Sequence, residues 1–268
     1  VLCFSYPDWL TFADARQQYA PYLGWIRSLL QLVLLAGFGL GIVSIVLRKQ
    51  KILGFSAIVL AALATLLGGA NAQSLSQTGQ GWSVGLDWFL LNLVFTGLVF
   101  IPLERLFGRT QQPVFRMEWR EDLLYFLLSS LFVQALSFLS LSPALAIAQH
   151  TDWAVLRQWV GAQPLLLQLL VIMFLTDFVQ YWVHRLFHQI PFLWKFHAVH
   201  HSAQAMDWLA GSRMHFLEIV ALRGYTLIPM MILGFSQSAL YAYIAFVYVF
   251  ATVVHANIRF NYYPIRYW

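Results

Sequence analysis

The chain has 268 residues, of which 60% are hydrophobic, 17% are aromatic and only 10% are charged. Soluble domains carry about 25% charged residues, so this chain lacks the polar surface that a water-soluble globule needs. Its net charge of +5 is scattered over short connections without a basic stripe, which excludes nucleic acid as a partner. The single cysteine, Cys3, excludes a disulfide framework and any cysteine-based zinc or iron–sulfur site. The composition predicts an all-α, polytopic integral membrane helical bundle.

Three apolar stretches in the first part of the chain predict membrane-spanning helices at residues 29–47, 52–70 and 87–102. The first two contain 19 residues each, close to the roughly 20 that cross a bilayer at about 1.5 Å per residue. A polar, uncharged loop at residues 71–80 separates the second stretch from the third. We predict that residues 1–82 form an N-terminal variable region with two transmembrane helices, and that residues 83–268 form one further domain.

Later apolar stretches predict a fourth span at residues 123–148 and a fifth at residues 165–183, which continues to His188. Two shorter stretches follow at residues 219–233 and 239–254, and only five residues separate them. This last pair predicts either two crossings or a re-entrant helical hairpin that returns to the side from which it came.

The distribution of basic residues predicts which side of the membrane each loop occupies. If the loop after the first span is cytoplasmic and the last pair is a hairpin, twelve basic residues are cytoplasmic: Arg48, Lys49, Lys51, Arg105, Arg109, Arg116, Arg120, Arg185, Lys195, Arg213, Arg259 and Arg266. Only Arg16, Arg27 and Arg157 face the opposite side, and Arg223 falls within a span. The same layout puts seven of the eight histidines on the cytoplasmic side, and only His150 opposite.

Histidines cluster at the predicted cytoplasmic end of the fifth span. Five of the eight lie within eighteen residues: His184, His188, His197, His200 and His201. His184 and His188 share one helix face at i, i+4 spacing, and a second segment beyond Pro191 repeats that spacing. Imidazole is a neutral ligand for iron, zinc and copper, and five imidazoles exceed the need of one tetrahedral zinc. The cluster therefore predicts a site for two metal ions, to which His255 returns from the last apolar stretch.

Four polar residues near the cluster are candidates for supporting roles. Asp177 lies on the helical stripe of His184, where its carboxylate can accept the spare N–H of a ligating imidazole. Asp207, Arg213 and His215 follow the cluster and predict a bracing ion-pair network or a further ligand. Glu218 follows with them as a further member of that network or a ligand, and for this residue a place on a solvated surface strip is an equal alternative.

The motifs DFVQYWVHRLFH at residues 177–188 and LWKFHAVHHS at residues 193–202 resemble the histidine boxes of the fatty acid hydroxylase/sterol desaturase superfamily. RMHFLE at residues 213–218 resembles the Arg-x-His-x-x-Glu element that often follows them. The resemblance runs from about Asp87 to the C-terminus. On this match His184 and His188 form the first box, His197, His200 and His201 form the second, and His255 is the isolated histidine of the later hairpin.

Membership implies a non-haem di-iron centre, with zinc as a possible substitute, that activates O₂ to hydroxylate or desaturate a lipid C–H bond. The lipid would be a fatty acyl chain, a sterol or a related molecule. It also implies an external electron donor, a cytochrome b5- or ferredoxin-like carrier with its reductase. The family's third box, usually HxxHH, does not occur before Trp268. We therefore expect a C-terminally truncated sequence whose active centre lacks ligands.

Two other classes of protein use clustered histidines. A membrane zinc hydrolase is one, but the HExxH signature is absent and no glutamate stands beside the boxes in the sequence. A haem-binding electron-transfer protein is the other, but haem usually takes its histidines from facing helices across the bilayer interior, and these crowd at one edge.

Overall fold

The computed structural model describes residues 1–11, 13–73 and 84–259. These ranges contain helices and no strand, which confirms the all-α prediction. The chain forms two compact units, Val1–Leu90 and Leu91–Trp268. The predicted domain boundary between residues 82 and 83 stays a prediction. So does the expectation that the sequence lacks the third histidine box of the family. Most of the predicted loop at 71–80, and Arg266, lie outside the described residues.

The first unit is built from five helices and the beginning of a sixth: α1 (Leu2–Ser5), α2 (Pro7–Leu10), α3 (Ala13–Tyr19), α4 (Leu23–Leu47), α5 (Ile52–Leu66) and α6 (Leu86–Phe107). The segments Arg16–Leu47 and Ile52–Asn71 are long and apolar enough to cross a membrane. Their apolar side chains are mostly exposed, as at Leu35 and Val46. An exposed apolar surface of this extent suits contact with lipid.

Helices α4 and α5 pack together through two glycines. A Cβ atom added to Gly54 would lie 2.7 Å from the carbonyl oxygen of Gly41 and 2.6 Å from Cγ1 of Ile45. Small residues at such contacts let two backbones approach closely, which is the main source of helix association in lipid. This contact holds the two N-terminal spans together as a hairpin.

The second unit contains the remainder of α6 and seven further helices: α7 (Trp119–Leu131), α8 (Val133–Gln149), α9 (Ala154–Gly161), α10 (Leu165–Gln189), α11 (Pro191–His197), α12 (Phe216–Leu233) and α13 (Gln237–His255). Helices α6, α10, α12 and α13 are long and apolar enough to cross a membrane. With the two spans of the first unit they make six candidate spans in the described residues. The chain is a multi-pass membrane protein.

The predicted fourth span is not one continuous helix. It is broken at Phe132 into α7 and α8, which are bent by 62°. Two adjacent serines precede the break, and the Ser129 hydroxyl donates to the Phe126 carbonyl oxygen at 3.1 Å. Serine hydroxyls that bond the preceding turn compete with the backbone ladder, and serine pairs are common at kinks. The apolar run predicted one span because hydropathy does not register this competition.

The hairpin of α12 and α13 brings one end of each of these helices to the histidines. These helices contain 18 and 19 residues, so each is long and apolar enough to cross a membrane. An apolar core joins them to α10 at the far end, through Ile172, Met230 and Ala239. At the near end, α12 starts after His215 and α13 ends at His255, beside the end of α10. The core therefore fixes three helices whose other ends carry the histidines.

We expect Gly54→Val to separate α5 from α4, because the added side chain meets backbone that cannot move aside. Overpacking of this kind costs about 1–3 kcal/mol. Hydrogen–deuterium exchange should then speed up about tenfold in α5. The control is Gly39→Val, since nothing lies within 4 Å of a Cβ at Gly39. Equal exchange in the two variants would contradict the glycine contact.

Candidate metal centre

Four imidazoles converge where α10 meets α11. His184 and His188 lie near the end of α10, His197 ends α11, and His201 follows in a short 3₁₀ turn. Their Nε2 atoms form a chain of contacts: His184 to His188 at 2.9 Å, His188 to His197 at 3.1 Å and His197 to His201 at 2.9 Å. One ligand nitrogen from each residue lies within 4.8 Å of all the others. We call these four residues the first imidazole group.

The turn between α10 and α11 produces this convergence. Ile190 is extended, with φ −95° and ψ 116°, and Pro191 occupies the first helical position of α11. Proline disfavours helical geometry in the residue before it and is well suited to start a helix. The chain therefore leaves α10 and begins α11 at once. This turn brings His197 back to the two histidines of α10.

Glu218 fixes the proton of His197. The Nδ1 atom of His197 lies 2.6 Å from Oε1 of Glu218, and both side chains are 1% exposed. Burial, followed by the neighbouring imidazoles, lowers the pKa of His197 to about 3, so the ring is neutral at physiological pH. A neutral imidazole carries one N–H; when that N–H is on Nδ1 and Glu218 is ionised, it donates to the carboxylate and leaves a lone pair on Nε2. Glu218 is thus buried, contrary to the surface strip considered for it.

The contacts among the four Nε2 atoms cannot all be hydrogen bonds. His197 Nε2 has no proton to donate, and each neutral ring has one lone pair in its plane. If His184 donates to His188, then His188 has no proton for His197, and two lone pairs face each other at 3.1 Å. A cation among these nitrogens removes the conflict, because every lone pair can then point at it.

His200 and His255 form a second pair with the same property. The Nδ1–H of His200 donates to the carbonyl oxygen of Arg213 at 3.1 Å, and that of His255 donates to the carbonyl oxygen of Ala251 at 2.6 Å. Their Nε2 atoms therefore face each other at 3.3 Å. Burial above all, with His255 and other imidazoles adding to it, lowers the pKa of His200 to about 4. Two imidazoles in this orientation offer a second position for a cation.

The nitrogen separations fit metal ligation. Histidine nitrogens bind zinc at about 2.0–2.1 Å, which puts adjacent ligands about 3.0 Å apart at right angles and about 3.4 Å apart in a tetrahedron. The observed contacts of 2.9–3.3 Å fall at or near that range. The two groups can therefore each contribute imidazoles to an ion without rearrangement of the helices.

A buried network of five charged residues lies next to the histidines. One carboxylate oxygen of Asp122 accepts a hydrogen bond from Arg116. The other oxygen accepts one from Nε of Arg213 at 2.5 Å. Arg116 also bonds Asp207 at 2.7 Å, and Arg213 bonds Glu118 at 2.9 Å. Burial lowers the pKa values of both arginines, but the hydrogen bonds and negative charges of their carboxylate partners outweigh it, so both pKa values are raised. The network ties the start of α7 to the loop before α12.

The network reaches the second pair through the backbone. Arg213 follows the 3₁₀ turn Ala210–Ser212, and its carbonyl oxygen holds His200. Gly211 in that turn lies against the ring of His255, where an added Cβ atom would be 3.0 Å from Cγ and Nδ1. Glycine is needed here for close approach. The turn therefore positions both histidines.

A cavity of about 460 Å³ opens beside both groups. His184, His197, His200 and His255 line it, and apolar side chains such as Leu222 form much of the remaining wall. On the other side of the first group, Trp194 stacks 5.6 Å from the ring of His201. Of the first group, His197 is buried whereas His188 and His201 are exposed, so the group is open to solvent on one side and borders a largely apolar cavity on the other.

The four residues predicted to support the histidine cluster lie in different parts of the structure. Asp207 and Arg213 join the buried network. His215 caps α12, where its Nδ1 accepts from the Leu217 N–H at 3.2 Å, and it stands apart from the imidazole groups. Asp177 lines an open pocket with His184 and His188. It makes no hydrogen bond to them among the described residues, because seven residues of helix separate it from His184 by about 10 Å.

The sequence interpretation missed four residues of this centre. Arg116 was considered only for topology, Asp122 and Gly211 were not singled out, and Glu118 was passed over. Their partners lie far away in the chain: 91 residues separate Asp122 from Arg213. One available signal was the pair of acidic residues that opens α7, just before an apolar run.

We expect Asp122→Asn to lower the free energy of unfolding by about 3 kcal/mol, because it leaves two buried guanidinium groups with less negative charge. Chemical denaturation in detergent micelles measures this. Asp152 is exposed, so Asp152→Asn should change stability by less than about 0.5 kcal/mol. A similar small effect of both substitutions would show that the network does not brace the fold.

Comparison with known proteins agrees with these features. The fatty acid hydroxylase family model matches residues 169–268, which include all six histidines of the two groups. The chain is 27% identical to the ornithine lipid hydroxylase OlsE of Rhizobium tropici over 160 residues, 56% of this chain and 46% of that protein. It thus spans about half the length of this curated relative. No solved structure matches the chain significantly. Residues 169–268 are thus similar to the fatty acid hydroxylase family, which supports the resemblance found in the histidine motifs.

Proposed function

We propose that this protein is an O₂-dependent di-iron enzyme that hydroxylates or desaturates a C–H bond of a membrane lipid. The observation that carries the proposal is the orientation of the imidazoles. In three rings a buried or backbone acceptor takes the Nδ1–H, so that Nε2 lone pairs point at one another beside an apolar cavity. A metal cation bound between these nitrogens would accept several of the lone pairs at once.

The two imidazole groups would each hold one iron ion. The first group offers four nitrogens, and His200 with His255 offers two, to which further ligands would add. Bound iron would supply the activation of dioxygen that an unreactive C–H bond requires. Hydroxylation then balances as one lipid C–H, one O₂, two electrons and two protons giving one alcohol and one water. The electrons would come from a cytochrome b5- or ferredoxin-like carrier with its reductase.

The cavity would receive the part of the lipid that is oxidised. Its apolar walls suit a hydrocarbon segment, and the helices around it are membrane spans. The relative from Rhizobium tropici is an ornithine lipid hydroxylase, which favours a polar lipid as substrate here. The excess of basic residues in the loops on the histidine side favours a cytoplasmic active site.

A zinc hydrolase is less well supported. Glu218 does lie beside His197 in space, although no glutamate lies beside the boxes in sequence. Its Oε1 atom, however, holds Nδ1 on the edge of the ring away from Nε2. That position suits orienting a ligand rather than activating a metal-bound water.

Haem ligation conflicts with the packing of the rings. A haem needs a slot between two imidazoles that accommodates a flat macrocycle. In the first group, the ring of His197 has its centroid 4.6 Å from those of His184, His188 and His201. The rings fill the space that the macrocycle would occupy.

We expect the purified full-length protein to contain iron and to form an oxidised lipid only when dioxygen and a reductant are present. Mass spectrometry with isotopically labelled dioxygen should show one labelled oxygen atom in a hydroxylated product. Product formation without oxygen would contradict the proposal, and so would a preparation that is active with zinc alone.

We expect the two ion positions to be separable by substitution. Glu218→Ala removes the acceptor that orients His197 and should weaken binding of the first ion about 10- to 100-fold. Gly211→Val displaces the His255 ring and should weaken only the second ion. Metal analysis during titration with a chelator distinguishes them.

Glu121→Ala is the matched control for Glu218→Ala, because Glu121 is exposed on α7. It should retain both ions. Loss of both ions to the same extent in Glu218→Ala and Gly211→Val would contradict two separate positions.

A further inference from the structure

We propose that Arg223 binds an acidic group of the lipid substrate, so that the enzyme selects lipids with a carboxylate or phosphate near the oxidised carbon. The inference rests on the proposed function, since it concerns the substrate of the same cavity. It starts from the position of Arg223 in the middle of α12, a candidate membrane span. Charged residues within a span are costly and normally face a partner, a cavity or a substrate path.

Arg223 has no protein partner among the described residues. Its side chain is exposed, and within the ranges that the structure describes its guanidinium makes no hydrogen bond or ion pair. The other arginines of the second unit that point inward behave differently. Arg116 and Arg213 bond carboxylates, and Arg157 bonds three carbonyl oxygens and a hydroxyl. An arginine in a span without such a partner is suited to a ligand.

The side chain lines the same cavity as the histidines. Arg223 borders the 460 Å³ cavity together with His184, His197, His200 and His255. Arg223 is the one arginine or lysine among the described residues that line the cavity. Two other polar residues of the wall, Thr96 and Tyr248, bond each other through their hydroxyls at 2.7 Å. They are therefore less available to a charged ligand.

Glu218 does not neutralise Arg223. The two residues are five positions apart on α12, or about 7.5 Å along the helix axis, and they form no ion pair. Oε1 of Glu218 is engaged by His197. The cavity therefore presents its cation one to two helical turns along α12 from Glu218, the residue that bonds His197.

This separation restricts the substrate. A guanidinium pairs with carboxylates and phosphates through two parallel hydrogen bonds, and such charge-assisted bonds are strong where water is scarce. A lipid anchored at Arg223 would offer the imidazole side a carbon on the order of 10 Å or less from its acidic group. Oxidation would then occur near the head of the lipid and not far along its acyl chain.

The test uses three lipids with the same palmitoyl chain: N-palmitoylglycine, palmitoyl lysophosphatidic acid and neutral monopalmitin. Binding to the purified, metal-free full chain in neutral detergent is measured by native mass spectrometry. We expect at least one acidic lipid to bind about tenfold or more tightly than monopalmitin. Preference for the glycine conjugate assigns a carboxylate to the site, and preference for the other acid assigns a phosphate.

Substitutions connect the preference to Arg223. Arg223→Gln should abolish the difference between acidic and neutral lipids, and Arg223→Lys should retain part of it. Arg120→Gln makes the same change at an exposed arginine of α7 outside the cavity and should leave the preference intact.

Equal binding of all three lipids by the unmodified protein would overturn the proposal, even if Arg223→Gln fails to fold. A preference that survives in folded Arg223→Gln would also overturn it. The binding measurement needs neither metal nor turnover. Equal binding of the three lipids would therefore leave the di-iron proposal intact. Conversely, a protein without iron-dependent activity could still show the preference for acidic lipids.

Discussion

The centre depends on where the imidazole protons are held. Glu218, the Arg213 carbonyl and the Ala251 carbonyl each accept an Nδ1–H, from His197, His200 and His255. In the tautomer in which Nδ1 donates to these acceptors, Nε2 presents its lone pair to a neighbouring imidazole nitrogen about 3 Å away. Where two lone pairs meet, the contact is repulsive without a cation. The fold thus maintains a local conflict that a bound cation would resolve.

The surrounding structure is arranged to sustain that conflict. At one end of α10, α12 and α13 an apolar core fixes the helices, and at the other the Asp122 network fixes the loop that carries Arg213 and Gly211. Buried ion pairs contribute little net stability compared with apolar packing, but breaking one is costly. Such a network is therefore suited to hold a loop in one position. Its effect on function lies in the backbone carbonyl and the glycine that position His200 and His255.

Local patterns in the sequence predicted the parts of the site that one helix or one turn determines. The i, i+4 spacing put His184 and His188 on one face of α10, and Pro191 marked the turn that begins α11. Hydropathy located the spans but missed the break at Phe132, since side-chain bonds to the backbone leave no trace in it.

Tertiary pairings were beyond the sequence. Asp177 was chosen as the carboxylate for a histidine because it shares a helical stripe with His184, whereas the structure gives that contact to Glu218, 21 residues from His197. A stripe reports which side chains share a face, but two turns of helix exceed the reach of a hydrogen bond. The five-residue ion-pair network likewise joins segments up to 91 residues apart, for which a single sequence has no signal.

X-ray absorption spectroscopy of the iron-loaded full-length protein tests the central claim most directly. The account predicts a first shell that includes several nitrogens per iron, with the multiple-scattering pattern of imidazole, and loss of part of that pattern when His197 is replaced by alanine. A spectrum without imidazole scattering, or one that is unchanged by this replacement, would contradict it.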